Sequence, residues 1–428
     1  MRTKLLIFGI TGDLSRRKLL PALAQMVKTG QFEELDIIGV SRRTVELDEL
    51  LAQHPELIER TSIYTMNLAQ PEEYTRLKES LDLSQSDQLL VYLSVPPGAA
   101  AQIVDFLGEA KINSPRVRIL FEKPFGVDLA SAREFIDRTA RYYDEHQLYR
   151  IAHYLAKEMA QDMVAFRGRN ALFSNIWNNN FIHSIEVIAT EEIGIEGRAQ
   201  FYEQTGALRD VVQGHLLQLL ALTLMDIPHD FDWQELPELR LKALEQLQPA
   251  APARAVRAQY EGYQEEVDNP GSLTETYVSL ELFSIQPRWL DVPIRLVTGK
   301  ALAEKTTEIR IHLEKSHEAQ SNTIIFRIQP NEGIEMELFV KRPGYDRTFE
   351  PRHLALTFPE DVTFPDAYEQ VLVDAIRGDK NLFTSSAEVV RSWEILEPLQ
   401  QAWGMSSEPP AQYVRGQSPN VEDFDTNG

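Results

Sequence analysis

A group of polar side chains suited to binding an anion lies in the first half of the sequence. Residues 150–158 read Arg-Ile-Ala-His-Tyr-Leu-Ala-Lys-Glu, which gives an imidazole at His153, a phenol at Tyr154 and an ammonium at Lys157. All three groups donate hydrogen bonds to anionic oxygens, and the ammonium adds a positive charge. The group predicts a site for a small anion, although each residue alone could be a half-buried residue at the end of a strand.

Two further stretches carry titratable side chains. The run Arg209-Asp-Val-Val-Gln-Gly-His215 puts Asp210 and His215 near the start of a long apolar helix, and Glu122-Lys-Pro-Phe-Gly126 puts Lys123 before a proline. An imidazole titrates near neutral pH, so His215 is suited to act as a general base. The alternatives are a core histidine at His215 and an Asp210 that simply pairs with a surface cation.

Composition limits the kinds of protein that could hold these residues. The chain has 428 residues, which is enough for two domains, and its net charge of -22 argues against a nucleic-acid partner. The absence of cysteine excludes disulfides and thiolate chemistry. The nine histidines lack metal-ligand spacing, so we expect no metal site. There is no apolar run of transmembrane length, and a strand begins at once, so we expect a cytoplasmic protein with no membrane partner.

The first third of the chain alternates between strand-like and helix-like segments. Most of the apolar runs are continuous, as in strands that are covered on both faces. They lie at Lys4–Phe8, Leu35–Ser41, Ser62–Met66, Leu89–Val95 and Arg118–Glu122. We therefore expect residues 1–149 to form an α/β, Rossmann-like domain with a doubly wound parallel sheet.

The remaining residues have a different pattern. Residues 155–225 look largely helical, with an extended stretch at Ser184–Thr190, whereas residues 256–345 contain alternating strand-like runs separated by turn residues. Such alternation is typical of an antiparallel sheet with one covered face. We expect residues 150–405 to form an α+β substrate-binding and oligomerisation domain with a large, mainly antiparallel sheet, and residues 406–428 to form a polar, loosely ordered tail.

The first strand leads into a pattern that suits a dinucleotide. The run Gly9-Ile-Thr-Gly-Asp-Leu-Ser15 precedes a helix, and its glycines would let the backbone approach a pyrophosphate at the helix N-terminus. The third glycine of the usual pattern is missing, so a plain strand-to-helix turn is the alternative. Arg42 and Arg43 follow the second strand, where arginines favour the 2′-phosphate of NADP over the free hydroxyl of NAD. A solvated loop is the alternative for two arginines after a strand. Lys18 could reach the same phosphate.

The motifs together resemble those of the glucose-6-phosphate dehydrogenase family. They occur in family order from the start of the chain to about residue 400. The matching runs are 8–22, Glu122–Gly126, His153–Glu158, Glu196–Arg198, Gly206–His215, Gly299–Leu302, Arg327–Glu332 and Asp366–Glu369.

The resemblance implies oxidation of D-glucose 6-phosphate to 6-phosphoglucono-1,5-lactone with NADP as the hydride acceptor. It implies that His215 is the catalytic base and that the bond between Lys123 and Pro124 is cis. The residues expected to bind glucose 6-phosphate, or a related sugar phosphate, are Lys123, His153, Tyr154, Lys157, Glu191, Asp210, Lys300 and Lys305. Those expected to bind the cofactor are Gly9, Thr11, Gly12, Asp13, Leu14, Lys18, Arg42, Pro96 and Lys123. The resemblance also implies a homodimer or homotetramer formed through the sheet of the second domain.

One departure from the family pattern bears on catalysis. Ala152 stands where the family has an Asp that orients the catalytic His and stabilises its protonated form, and Ala can do neither. Three explanations stay open: a slow enzyme in which another acid or a water orients His215, an enzyme for a related sugar phosphate, or a non-catalytic binding paralogue. Retention of both the cofactor and the anion motifs favours catalysis.

Overall fold

The computed structural model describes residues 2–30, 32–84, 86–315, 321–358, 362 and 364–419. The chain divides into two compact units. The first unit comprises Met1–Ala156 and Pro365–Val390, and the second comprises Lys157–Phe364 and Arg391–Gly428. The sequence placed the first domain edge near residue 149 and gave residues 365–390 to the second domain. The structure differs because a late strand pairs with the first sheet.

The strands of the described residues are, in chain order, β1 (Thr3–Phe8), β2 (Leu35–Ser41), β3 (Thr61–Thr65), β4 (Gln88–Leu93), β5 (Val117–Phe121), β6 (Leu148–Ile151), β7 (Ile182–Thr190), β8 (Ala255–Tyr260), β9 (Tyr277–Leu282), β10 (Ile294–Gly299), β11 (Thr306–Leu313), β12 (Thr323–Gln329), β13 (Gly333–Lys341), β14 (Phe349–Thr357), β15 (Phe383–Thr384) and β16 (Ala411–Tyr413).

The α-helices are α1 (Leu20–Lys28), α2 (Leu47–Leu50), α3 (Pro71–Leu81), α4 (Pro97–Glu109), α5 (Leu129–Thr139), α6 (Glu158–Arg169), α7 (Ala171–Ile176), α8 (Ala199–Ala207), α9 (Leu217–Leu224), α10 (Leu236–Glu245), α11 (Tyr263–Glu266), α12 (Ala367–Arg377) and α13 (Ser386–Met405). Two segments are π-helical, Ser15–Leu19 and Leu208–Leu216. Short 3₁₀ segments are Pro55–Arg60, Glu145–Gln147, Trp233–Glu235, Pro252–Arg254 and Pro287–Trp289.

The first unit is built on a seven-stranded sheet of order β15-β6-β5-β4-β1-β2-β3. Strands β1 to β6 pair in parallel, and β15 pairs antiparallel with β6. Every residue of β1 and β4 is buried, as expected of central strands covered on both faces. The chain leaves β1 toward β2 on one side and returns to β4 on the other. The carboxyl ends of β1 and β4 therefore form the switch point at which such sheets bind ligands.

The helix that follows the second unit's sheet in sequence returns the chain to the first unit. Asp366 caps the start of helix α12, and its carboxylate accepts a hydrogen bond of 2.9 Å from the N–H of Tyr368. Gly378 follows the last residue of the helix and adopts the left-handed conformation that commonly terminates helices. Strand β15 then adds to β6 through Phe383 and Thr384.

The second unit is built on a nine-stranded sheet of order β14-β13-β12-β11-β7-β10-β9-β8-β16. The prediction of a mainly antiparallel sheet is confirmed, with parallel pairing at β7–β10 and β8–β16. The π-helix Leu208–Leu216 contacts β7 and β10, and α6 contacts β12. Strand β16 comes from the predicted polar tail, where its Tyr413 is buried. Residues 420–428 of that tail lie outside the described residues.

Candidate active site

The turn after β1 has the geometry of a dinucleotide-binding loop. Gly9 has a φ of +84°, and a Cβ there would lie 2.2 Å from the carbonyl oxygen of Ser94, which follows β4. Only glycine can make this approach. Ser15 is buried, and its hydroxyl lies 3.0 Å from the Gly9 oxygen and 3.2 Å from Ser94 Oγ. The turn is thereby fixed at the switch point between β1 and β4.

The other predicted cofactor residues of this loop lie at its surface. The N–H of Gly12 donates to the Gly9 oxygen at 2.9 Å, and Arg16 Nε donates to the Thr11 oxygen at 3.2 Å. Asp13 is exposed, and Leu14 is half-buried at the start of the helical segment. The backbone of Thr11–Leu14 therefore borders the switch point.

Arg42 and Pro96 lie at the carboxyl ends of two other strands. Arg42 directly follows β2, is exposed, and has no salt-bridge partner among the described residues. Pro96 precedes α4, and the N–H groups of Ala99 and Ala100 both donate to its carbonyl oxygen at 3.0 Å. The sheet thus brings Gly9, Arg42 and Pro96 to one edge.

Lys18 forms an ion pair within the first unit. Its ammonium lies 3.5 Å from Asp366 Oδ2 and 5.9 Å from the ring centre of Tyr368. Both side chains of the ion pair are 49% exposed, so the ammonium stays open to water on one side. Its contact with a 2′-phosphate therefore stays a prediction, as does that of Arg42.

His153 belongs to a network that links three strands or helices of the first unit. Its Nε2 lies 3.1 Å from Glu122 Oε2 and 3.2 Å from the hydroxyl of Tyr368, and its ring lies 4.5 Å from the Tyr368 ring. The hydroxyl of Tyr92 donates to the other oxygen of Glu122. Burial raises the pKa of the Glu122 carboxyl. The positive charge of His153 and its hydrogen bond to the carboxylate act in the opposite direction and outweigh burial, so the pKa of Glu122 is lowered. The network holds the imidazole in one orientation.

One expectation for the residues around this network is confirmed. The bond between Lys123 and Pro124 is cis, as predicted. Lys123 and Tyr154 are both half-buried. Ala152 is 2% exposed, directly after β6, so the position that carries Asp in the resembling family holds a buried methyl group.

In the second unit, Glu191 and Lys300 form an ion pair at the ends of the parallel strands β7 and β10. The Lys300 side chain is 4% exposed, and that of Glu191 is 35% exposed. The N–H of Glu191 donates to the Gly299 oxygen at 2.9 Å, which fixes the two strand ends together. The ion pair is therefore held rigidly, with only its acidic side open to water.

The helix that carries His215 is wound as a π-helix over Leu208–Leu216, where the sequence predicted an ordinary helix. Leu208, Val212 and Leu216 are buried, whereas Asp210 and His215 are half-buried. Successive turns of a π-helix join residues five apart, so these two side chains lie one turn apart. π-helical turns recur at functional sites, and this one packs against the strands that end at Glu191 and Lys300.

Tyr202 connects these groups and was not identified from the sequence. Its side chain is buried, and the Lys300 ammonium lies 5.4 Å from its ring centre. Burial, followed by the charges of Asp210 and Glu275, raises the pKa of the Tyr202 hydroxyl. Tyr202 thus lies beside the Glu191–Lys300 pair and senses the charge of Asp210.

The last two predicted residues are cations at the surface of the second unit. Lys157 immediately precedes α6 and is half-buried, and Lys305 precedes β11 and is exposed. The backbone N–H of Lys305 donates to Glu192 at 3.3 Å. Among the described residues, neither ammonium has a salt-bridge partner, so both charges are available to an anion.

Sequence reasoning missed the supporting residues rather than the motifs. Glu122 and Tyr368 stood inside quoted motifs, but nothing in the sequence said that they meet at His153. Glu275 sits in a strand-like Thr-Glu-Thr run, where alternation alone predicts a solvent-facing position.

The described residues hold neither a membrane-spanning helix nor a cluster of metal ligands. None of the helices there is both long and apolar enough to cross a membrane. No group of three or more His, Asp or Glu side chains in that part of the chain could hold a metal ion.

Comparisons with known proteins agree over both units. Residues 6–162 match the family model "Glucose-6-phosphate dehydrogenase, NAD binding domain", and residues 164–423 match "Glucose-6-phosphate dehydrogenase, C-terminal domain". The glucose-6-phosphate 1-dehydrogenase of Chlamydia muridarum is 35% identical, over 93% of this chain and 90% of that protein. That of Gluconobacter oxydans is 34% identical, over 96% and 93%.

Solved structures give the same result. A glucose-6-phosphate dehydrogenase in complex with its substrate glucose-6-phosphate superposes with a TM-score of 0.92 at 30% identity, covering 100% of this chain and 98% of that one. The glucose-6-phosphate 1-dehydrogenase of Mycobacterium avium gives 0.87 at 32% identity, with coverage of 97% and 94%. The chain belongs to the glucose-6-phosphate dehydrogenase family.

Proposed function

We propose that this protein oxidises D-glucose 6-phosphate to 6-phosphoglucono-1,5-lactone with NADP⁺. Family membership supports the reaction, and one observation in the second unit supports the chemistry. The rigid Glu191–Lys300 pair lies at the ends of the two strands against which the His215 helix packs. Such a group offers a general base, a cation and carboxylates to a sugar with several hydroxyls.

The first unit is proposed to bind the cofactor. The Gly9 turn admits no Cβ, which suits close approach of a pyrophosphate, and the adjoining N–H groups and helix start favour its charge. Arg42 would hold the 2′-phosphate, and Thr11, Gly12, Asp13, Leu14, Pro96 and Lys123 would line the remainder. When bound, NADP⁺ supplies the hydride acceptor.

The second unit is proposed to supply the proton acceptor and most sugar contacts. His215 takes the proton of the C1 hydroxyl as the C1–H bond breaks, so that the C1–O bond becomes a carbonyl. Glu191 and Asp210 accept hydrogen bonds from sugar hydroxyls, and Lys300 and Lys305 donate. His153, Tyr154 and Lys157 are proposed to bind the phosphate, with the imidazole oriented by Glu122.

In this proposal, Ala152 lowers the rate of the reaction but does not change which reaction is catalysed. An orienting carboxylate of this kind is worth up to roughly 10⁴ in rate in triad enzymes, so a slow turnover is expected. The relatives support an enzyme and do not favour the non-catalytic paralogue.

The decisive experiment is NADPH formation by the purified protein with glucose 6-phosphate. We expect measurable turnover that falls at least tenfold in His215→Asn while glucose 6-phosphate still binds. Galactose 6-phosphate and 2-deoxyglucose 6-phosphate test a related substrate. Saturable binding of both ligands with no turnover on any of these sugars would refute the proposal.

We further propose a homodimer or homotetramer formed through β13 and β14. These strands expose Leu338, Val340, Phe349, Leu354 and Leu356, with Phe349 74% exposed. Exposed apolar groups concentrated on an edge strand, β14, and on its neighbour β13 are typical of an interface. Light scattering should give a multiple of 48.9 kDa, and Leu354→Glu combined with Leu356→Glu should give the monomer. A wild-type monomer at micromolar concentration would refute it. The cytoplasmic location stays a prediction, which cell fractionation would test.

A further inference from the structure

A buried carboxylate holds the start of the helix that carries Asp210 and His215. Glu275 lies two residues before β9. Burial raises the pKa of its carboxyl, and this effect exceeds the lowering by the hydrogen bond from Leu208 and by the charge of Arg209. The N–H of Leu208 donates to Glu275 Oε1 at 2.9 Å, and the N–H of Ala207 donates to the Glu275 carbonyl at 3.0 Å. Both N–H groups lie at the first turn of the π-helix, where no helical acceptor exists for them.

The backbone before that helix is shaped to receive the carboxylate. Gly206, near the end of α8, has a φ of +63° and a ψ of 178°, so the helical path is broken just before the π-helix begins. An ideal Cβ at Gly206 would lie 2.4 Å from Glu275 Oε1 and 2.9 Å from Oε2. The carboxylate therefore fills space that only a glycine leaves open.

The next residue joins the same segment to Lys300. The N–H of Lys300 donates to the carbonyl oxygen of Thr276 at 3.0 Å, and the hydroxyl of Tyr413 donates to the Lys300 carbonyl at 2.7 Å. Glu275 and Thr276 thus contact both the His215 helix and the residue whose ammonium pairs with Glu191. Any shift of this dipeptide would therefore change the position of the His215 helix relative to Lys300.

We propose that Glu275 is a positioning residue for the reaction, which sets the His215 helix against the Glu191–Lys300 pair through its bond to the N–H of Leu208. This inference rests on the proposed roles of His215 and Lys300. Glu275 itself touches neither substrate nor cofactor. Its function requires an acceptor oxygen rather than a negative charge, because the partner is a backbone N–H.

That requirement makes a conservative replacement informative. Glu275→Gln keeps an acceptor oxygen at the same distance, whereas Glu275→Ala leaves the N–H of Leu208 buried without one. We expect Glu275→Ala to lower kcat at least tenfold, and Glu275→Gln to stay within threefold of wild type. The dissociation constant for NADP⁺ should change less than twofold in both, since the predicted cofactor residues belong to the first unit.

A matched control separates positioning from general destabilisation. Glu308 is also a buried glutamate of the same sheet, where it pairs with Arg310 on β11. Glu308→Ala should lower the Tm as Glu275→Ala does, but leave kcat within twofold. An equal loss of kcat in Glu308→Ala, or full kcat in a folded Glu275→Ala, would overturn the proposal. So would a loss in Glu275→Gln as large as in Glu275→Ala.

A second variant covers the case in which Glu275→Ala does not fold. Gly206→Ala forces its Cβ onto the carboxylate and should also lower kcat at least tenfold, whereas unchanged kcat contradicts the proposal. If Glu275→Ala does fold, the double variant should lose less kcat than the two single losses combined, because only the backbone strain of an alanine at this positive φ remains once the carboxylate is removed. His215→Asn is measured in parallel: unchanged kcat there refutes the proposed base, while the Glu275 comparison still reports on the helix.

Discussion

Removing the negative member of the Glu191–Lys300 pair should destabilise the second unit measurably. In Glu191→Gln the Lys300 ammonium, whose side chain is 4% exposed, loses its carboxylate and cannot be hydrated fully. Breaking a fully buried pair costs roughly 3–5 kcal/mol, and an exposed pair contributes roughly 0–1 kcal/mol. Since the Glu191 side chain is 35% exposed, we expect an intermediate loss of about 2 kcal/mol, or about 30-fold in the folding equilibrium.

Urea unfolding followed by tryptophan fluorescence measures this loss in the relevant unit. All five tryptophans belong to the second unit, at positions 177, 233, 289, 393 and 403. The midpoint should fall in Glu191→Gln with an unchanged slope, because the surface exposed on unfolding is the same. The kcat/KM for glucose 6-phosphate should fall as well, since both residues are proposed to bind the sugar.

Two controls give the result its meaning. Lys300→Met leaves the more exposed Glu191 carboxylate open to water, so its loss of stability should be smaller than that of Glu191→Gln. Glu238→Gln breaks an exposed helical pair in which the side chains of Lys242 and Glu238 are 62% and 68% exposed, and it should lower the urea midpoint much less than Glu191→Gln does. Equal midpoints for wild type and Glu191→Gln, or equal losses for Glu191→Gln and Glu238→Gln, would refute the buried-pair argument.

Three further predictions concern other groups. Ala152→Asp should raise kcat at least tenfold by restoring the family's orienting carboxylate, and unchanged steady-state kinetics would mean that another group supports His215. Arg42→Ala should raise KM for NADP⁺ at least tenfold and KM for NAD⁺ less than twofold, so equal increases would contradict the proposed 2′-phosphate contact. The lowered pKa of Glu122 predicts that its stabilisation is present above its ordinary value of 4.5 and is lost as pH falls through the lower folded value. Urea unfolding followed by circular dichroism between pH 7 and 3 should therefore show that the free energy of unfolding falls less steeply with acid in Glu122→Gln than in wild type. An equal fall in both proteins would contradict the role of that carboxylate.

The sequence predicted the first sheet well because its strands are continuous apolar runs. Predicted runs such as Leu35–Ser41 and Leu89–Val95 correspond to β2 and β4, since only buried strands combine such length with such apolarity. The return of residues 365–390 to that unit was missed. Strand β15 contains only Phe383 and Thr384, and two residues have no periodicity from which pairing could be predicted.

The motifs located the candidate site residues, but the sequence did not show how they are held. The π-helix that carries His215 starts just after the turn at Gly206, where its first N–H donates to a carboxylate some sixty residues later in the chain. Hydrophobic periodicity cannot report such a distant hydrogen bond. Likewise, the pairing of Lys18 with Asp366 required the long-range contact between the π-helix Ser15–Leu19 and α12.

The discontinuous first unit has a consequence for how the protein is made. The edge of its sheet is completed by β15, which leaves the ribosome roughly 230 residues after Ala156, or roughly 10–50 s later at ordinary elongation rates. Until then the backbone of β6 presents unpaired N–H and C=O groups on that side. Nascent chains should therefore depend on a holding chaperone during this interval, and a ribosome-bound chain stopped before residue 383 should remain protease-sensitive at β6.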